Sequence, residues 1–117
     1  MNKELVIRHQ INRLGRRVVI TDGDWTSVPH KAIVEPLWRH KSSNFEPKFR
    51  ELGNILNEYY AYICDSSHDI TALSDDAIVW IDSNAYELKH KDSVKCGDSV
   101  LYYNGILRRL RGYEDEA

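Results

Sequence analysis

The run LNEYYAYIC (56–64), followed by AIVWID (77–82) and AYELKHK (85–91), decides the fold. In the first, Leu56, Glu58, Tyr60, Tyr62 and Cys64 alternate with Asn57, Tyr59, Ala61 and Ile63. A period of two puts the two sets on opposite faces of a strand. The other two runs are rich in β-branched and aromatic residues. They are separated by Ser83 and Asn84 alone, the spacing of a tight hairpin.

Outward from this centre the strand signal recurs. Val18, Val19 and Ile20 read as a strand over 17–21 that ends at the turn-rich DGDW, and HKAIVEPLWR (30–39) reads as another. Pro36 lacks a backbone donor and calls for an edge or a bulge there. SVLYYNGILRRL (99–110) is a last long strand, with Asn104-Gly105 marking a bulge or bend. The expected core is Ile33, Ile63, Ile78, Val79, Ile81, Leu88 and Leu107. Ile78 and Val79 cannot both face inward, so one of them should be less buried. Ten of the twelve aromatic residues are Tyr or Trp, which suits half-buried strands whose polar tips reach water or a neighbour. The chain is therefore expected to be mainly β: a small barrel or sandwich spanning 17–112, with a long loop at 40–55. Residues 1–16 form an N-terminal segment that is helical or extended: Ile7, Ile11 and Leu14 fit a short helix face stopped by Gly15, while Leu5, Ile7 and RRVVIT also suit a strand. Residues 113–117 are an acidic tail.

Composition bounds the function. At 117 residues, 42% hydrophobic and 29% charged, the chain has the size and balance of one globular domain, neither disordered nor membrane-spanning. No apolar run approaches the roughly 18–20 residues that cross a bilayer. MNKELVIRHQINRLGRR lacks the apolar region of a secretory signal, so Cys64 and Cys96 are expected as reduced thiols, although a disulfide stays open. The net charge of −2 hides segregation. Basic residues gather in 1–21, in 39–50 and in RRLR near the end, whereas 65–76 holds four aspartates and no Lys or Arg. Such separation suits a surface that meets copies of itself or an anionic polymer, or else a set of solvated loops.

Catalytic signatures are sparse. The five histidines are scattered through the sequence, without HExxH or a CxxC partner, and Cys64 and His68 straddle a strand end. Asp22-Gly23-Asp24 opens like a calcium loop but lacks the rest of that pattern. HDITALSDD (68–76) sets acids beside a histidine, with neither a serine elbow nor a phosphate-binding glycine loop, and reads as turn acids. The expectation is a non-enzyme without metal or cofactor.

Residues 40–52 of this loop are the segment expected to carry function. It is too long and too polar for a simple hairpin connection, and it brings Lys41, Lys48 and Arg50 together with Phe45 and Phe49. With Trp38 and Arg39 this mixture can stack bases and touch phosphates. A stand-alone β-barrel nucleic-acid-binding module is thus the alternative reading, weakened by a pI near 6.2.

The order HKAIVEPLWRHKSSNFEPKFRELG, NEYYAYIC, HDITALSDDAIVWID, AYELKHKDSV and SVLYYNGILRRL resembles the small head-completion proteins of tailed bacteriophages, also called minor capsid or head-closure ("stopper") proteins. The resemblance covers residues 30–110. It implies a small β-barrel that assembles as a homo-oligomeric ring below the portal or adaptor, closes the DNA-filled head and docks the tail. It implies a virion location at the head–tail interface, with host cytoplasm during assembly, and non-specific contact with packaged DNA. On this reading Lys41, Phe45, Lys48, Phe49 and Arg50 face the channel or DNA. Trp38, Arg39, Tyr59, Arg108, Arg109 and Arg111 form subunit contacts, since Tyr, Trp and Arg are common interface anchors.

Overall fold

The computed structural model of the chain describes residues 3–37 and 59–110. Among these residues one helix, α1 (Lys3–Leu14), precedes seven strands: β1 (Arg16–Asp22), β2 (Trp25–Thr26), β3 (His30–Pro36), β4 (Tyr59–Asp65), β5 (Ile78–Ile81), β6 (Asn84–Cys96) and β7 (Ser99–Leu110). The sheet runs β2-β1-β3-β4-β7-β6-β5, and β5 pairs back with β1 through Val19 opposite Trp80 and Ile20 opposite Val79. Six strands thereby close a barrel, with β2 as an extra strand on β1. Closure leaves these strands no unpaired edge along the barrel wall.

Each strand alternates as its sequence dictates. Val18 and Ile20, Tyr62 and Cys64, Val79 and Ile81, and Tyr103, Gly105 and Leu107 point inward and are buried. Of the expected core residues, Val79, Ile81, Leu88 and Leu107 are buried, whereas Ile33, Ile63 and Ile78 are only half-buried. Ile33 and Ile63 are cross-strand partners on the outer face. That face of β3, β4 and β7 is the one against which α1 packs, with Ile11 buried beneath the helix. The N-terminal segment is thus the helix of its two possible forms, and Ile11 with half-buried Ile7 covers the barrel without joining its wall, whereas Leu14, expected on the same helix face, is exposed. Gly15 ends it because a Cβ there would lie 2.4 Å from the Ile11 carbonyl oxygen and 3.0 Å from that of Ala32.

Three two-residue turns connect neighbouring strands. At Gly23-Asp24, Asp82-Ser83 and Gly97-Asp98 the first turn residue has a positive φ, of 63°, 56° and 62°. The hairpin expected at Ser83-Asn84 therefore exists one residue earlier, since Ile81 pairs with Asn84. The bulge expected at Asn104-Gly105 lies across the ladder instead: Lys89 faces Ile106 and Asp92 faces Asn104, so His90 and Lys91 together oppose Gly105. His90 takes a φ of 51° in this bulge. On its other side Gly105 is paired with Tyr62, whose ring is fully buried. Pro36 closes β3 beyond the last residue that pairs with β1, where its missing donor costs no ladder bond on that side.

Candidate functional site

Because neighbouring barrel strands are all antiparallel, the barrel has two ends of different make-up. At the first end β3 finishes, β4 starts and β7 finishes. Pro36 pairs with Tyr60, and Tyr59 pairs with Arg108. The chain between Leu37 and Tyr59 therefore departs and returns at adjacent strand positions. Of the residues expected to meet neighbours, Tyr59 and Arg108 are brought side by side. Arg108 Nε donates to Glu87 Oε1 at 3.1 Å, and an Arg109 guanidinium nitrogen donates to Asn84 Oδ1 at 3.2 Å. Arg16 and Asp82 form an ion pair between the start of β1 and the β5–β6 turn. Trp38, Arg39, Lys41, Phe45, Lys48, Phe49, Arg50 and Arg111, the loop 40–55 and the tail 113–117 lie outside the described residues.

The opposite end holds a feature the sequence did not announce. The β1–β2 hairpin, the start of β3 and the chain after β4 enclose a cavity of about 290 Å³. Ile20, Val28, Ile70 and Leu73 give it apolar walls, Trp25 flanks it, and His30, His68 and Asp69 supply its polar groups. Ile70 belongs to a 3₁₀ turn (Ile70–Ala72) that plugs the barrel and is itself buried. The turn forms because Asp69 Oδ1 accepts from the Thr71 amide at 2.9 Å, capping its N-terminus.

The histidines read as scattered in the sequence are not all scattered in space. His30 and His68 stack ring to ring, with centroids 4.0 Å apart and planes at 19°. His30 is buried, and Nδ1 donates to the Val28 carbonyl at 3.0 Å. Nε2 then accepts from the Tyr62 hydroxyl at 3.1 Å. Burial, helped by the neighbouring His68, holds the His30 imidazole below its ordinary pKa, and the Val28 carbonyl and Asp65 oppose this only in part. His30 is thus neutral near pH 7. Burial also pushes the Tyr62 hydroxyl well above its ordinary range.

The nearby acids serve the backbone. Asp65 accepts from the Ser67 amide at 2.8 Å and faces Arg8 Nε at 3.7 Å, tying α1 to this end. Asp22 accepts from both the amide and the hydroxyl of Ser74, bonds that hold its carboxyl below the usual range. Of the acids in 68–76, Asp69 therefore caps a turn, exposed Asp75 faces Lys91 Nζ at 3.9 Å, and Asp76 stands in solvent. Cys64 and His68 do not form a metal pair. The Cys64 thiol donates to the His68 carbonyl at 3.3 Å, and burial pushes its pKa up to about 12. Among the described residues no group of three or more His, Cys, Asp or Glu is placed to hold a metal ion. Both cysteines are free thiols, Cys64 inside and Cys96 exposed at the end of β6.

The geometry suits recognition. One end offers arginine and tyrosine on a rigid sheet where the basic-aromatic stretch begins and returns. The other offers an apolar recess whose rim carries the exposed side chains of Trp25 and Val28. Only weak signals could have located the recess: two histidines, in SVPH and DSSHD, each adjoining a predicted strand end. Comparison with protein-family models, with curated proteins and with solved structures finds no match to this chain.

Proposed function

We propose that the chain is a structural subunit of a tailed-bacteriophage head–tail connector, of the head-closure type. In this reading copies assemble as a ring below the portal or adaptor, close the DNA-filled head and offer a docking surface to the tail. The observation that carries the proposal is the chemical difference between the two ends of a closed barrel. A subunit with unlike ends can make head-to-tail contacts in which one face meets a different face, and these close into rings when the rotation permits. The resemblance of residues 30–110 to head-completion proteins supplies the setting. The stretch 41–50 would then present Lys41, Lys48 and Arg50 to the channel, where repetition around the axis multiplies a weak phosphate contact.

The test is deletion of residues 42–50 in a phage that encodes the chain. Particles with intact rings that lose packaged DNA are the expected result. Normal infectious yield would overturn the proposal. Absence of rings would move the stretch from the channel to the subunit contact. Size-exclusion chromatography with light scattering, with and without portal and tail proteins, gives the companion result. A chain that ignores these partners yet binds DNA tightly with steep salt dependence would be a nucleic-acid-binding module instead.

A further inference from the structure

The recess beside the stacked histidines is an open space of about 290 Å³ at the end of an otherwise filled barrel. Its walls are the apolar side chains of Ile20, Val28, Ile70 and Leu73, and Trp25, 53% exposed, flanks them. An apolar cavity of roughly 150 Å³ already holds a benzene molecule, so this one takes an aromatic ring with a short chain attached. Its polar groups are few and unequal. His30 has both ring nitrogens engaged, by the Val28 carbonyl and the Tyr62 hydroxyl, and so offers only its ring. His68 stacks on His30 and carries no hydrogen bond on its own ring nitrogens among the described residues. Asp69 is the one acidic side chain among the described residues that line the recess, and no Lys or Arg lies among them. Thr71 holds its Oδ1, whereas Oδ2 has no protein partner among the described residues. The cations of this end are committed elsewhere. Lys91 Nζ bonds the Leu73 and Ser74 carbonyls at 2.6 and 3.2 Å, and Arg8 faces Glu4 and Asp65.

We infer that the recess binds a small aromatic ammonium, with its ring between the apolar walls and its charged head on the Asp69 carboxylate. The ring follows from the lining, because Trp25 and the imidazole pair are aromatic partners. The positive head follows from charge: a carboxylate ligand would meet Asp69 with no cation to offset it, and a plain hydrocarbon would leave Asp69 unused. Position favours the same division. Asp69 is exposed while Ile20 and Ile70 are buried, so the ring can leave water while the ammonium stays partly hydrated. The cost of stripping an ion is thereby avoided. Trp25 adds a face on which an ammonium can rest.

The inference goes beyond the connector reading and uses none of it, so each can fail without the other. The probe is phenethylamine, titrated at constant ionic strength into the purified full chain and followed by heteronuclear NMR. Saturable shifts are expected at the Ile20, Val28, Ile70 and Leu73 methyls and at the His68 ring. The Kd should be about 1 mM, the scale that a ligand of about nine non-hydrogen atoms reaches. Phenylacetate carries the opposite charge on the same ring and should bind at least about fivefold more weakly. Asp69→Asn keeps an oxygen to cap the turn and should weaken the amine about three- to fivefold, leaving the two probes closer together. Val28→Arg sets a cation beside the walls at an exposed position, and should weaken the amine while favouring phenylacetate. Circular dichroism should be unchanged in both variants. Should Asp69→Asn disturb the fold, the comparison of amine with carboxylate on the wild-type chain decides alone. No saturable shift at about 10 mM amine overturns the inference, as do shifts confined to residues away from the recess. Equal affinity for the two probes also overturns it, and so does a folded Asp69→Asn chain that binds the amine as tightly as wild type.

Discussion

Gly105 is the point at which the barrel interior leaves no room for one more carbon. It faces inward between the buried ring of Tyr62 and the β6 bulge. A Cβ there would sit 2.9 Å from Leu88 Cδ1, 3.3 Å from the Lys89 carbonyl oxygen and 3.5 Å from Ile70 Cδ1. Gly105→Ala therefore sets two effects against each other. Overpacking a filled core costs about 1–3 kcal/mol, while the reduced freedom of the unfolded chain returns about 0.4–1 kcal/mol. The net expectation is a loss of about 1–2 kcal/mol, read as a lower urea midpoint at constant slope. The tightest contact is with a side-chain end, so shortening that side chain should relieve most of it. In a Leu88→Val background the same substitution should cost about 1 kcal/mol less, a coupling that a double-mutant cycle resolves. A Gly105→Ala chain as stable as the parent, or one whose loss is identical in both backgrounds, would refute the argument.

Other expectations follow from single groups. Because burial lowers the His30 pKa below 6.5, the unfolded chain takes up that proton first. Stability should therefore be complete above about pH 6.5 and fall as pH drops below it toward the folded-state value. Urea midpoints from pH 8 to 5 should show this fall, and His30→Gln should flatten it. An undiminished fall in the variant would assign it to another group. With the Cys64 thiol buried and at about 12, a thiol reagent at pH 8 should label one cysteine per native chain, Cys96, and two in denaturant; rapid labelling of both would contradict the burial. Ser83 holds a φ of 113° in a two-residue turn, a region that suits glycine. Ser83→Gly should therefore raise stability by about 0.5–1 kcal/mol in thermal or urea unfolding, and a loss would indicate that its side chain matters more than its backbone.

Strands are legible where burial on one face imposes a period of two. Tyr62 with Cys64, and Val79 with Ile81, fall on the inner face as their alternation requires. The continuous apolar stretches are harder, because they hide which neighbour faces in. Ile33 and Ile63 look like core but lie under α1, a second apolar layer that no strand pattern encodes. The second half of β6, with Asp92, Ser93 and Lys95, lies beyond the strand expected over 85–91, because its residues stay polar as they extend the ladder with β7. Ile70 stands among aspartates and serines and yet plugs the barrel. The His30–His68 stack joins the start of β3 to the chain just after its neighbour β4, far apart in sequence, and no local spacing predicts such a meeting.

The β1–β5 pairing has a kinetic consequence. It joins Ile20 to Val79, about sixty positions apart in the chain, whereas β5, β6 and β7 follow one another through two-residue turns. Hairpins with such turns form within about 1–10 μs, while pairing of distant strands waits on the loss of chain entropy. The C-terminal meander should therefore organise first and the N-terminal strands dock late, closing the ring of hydrogen bonds as a final act. During synthesis the order of appearance is the reverse. Strands β1 and β3 emerge with their outer edges bare and wait for partners made much later, which makes the early nascent chain the stage most exposed to mispairing.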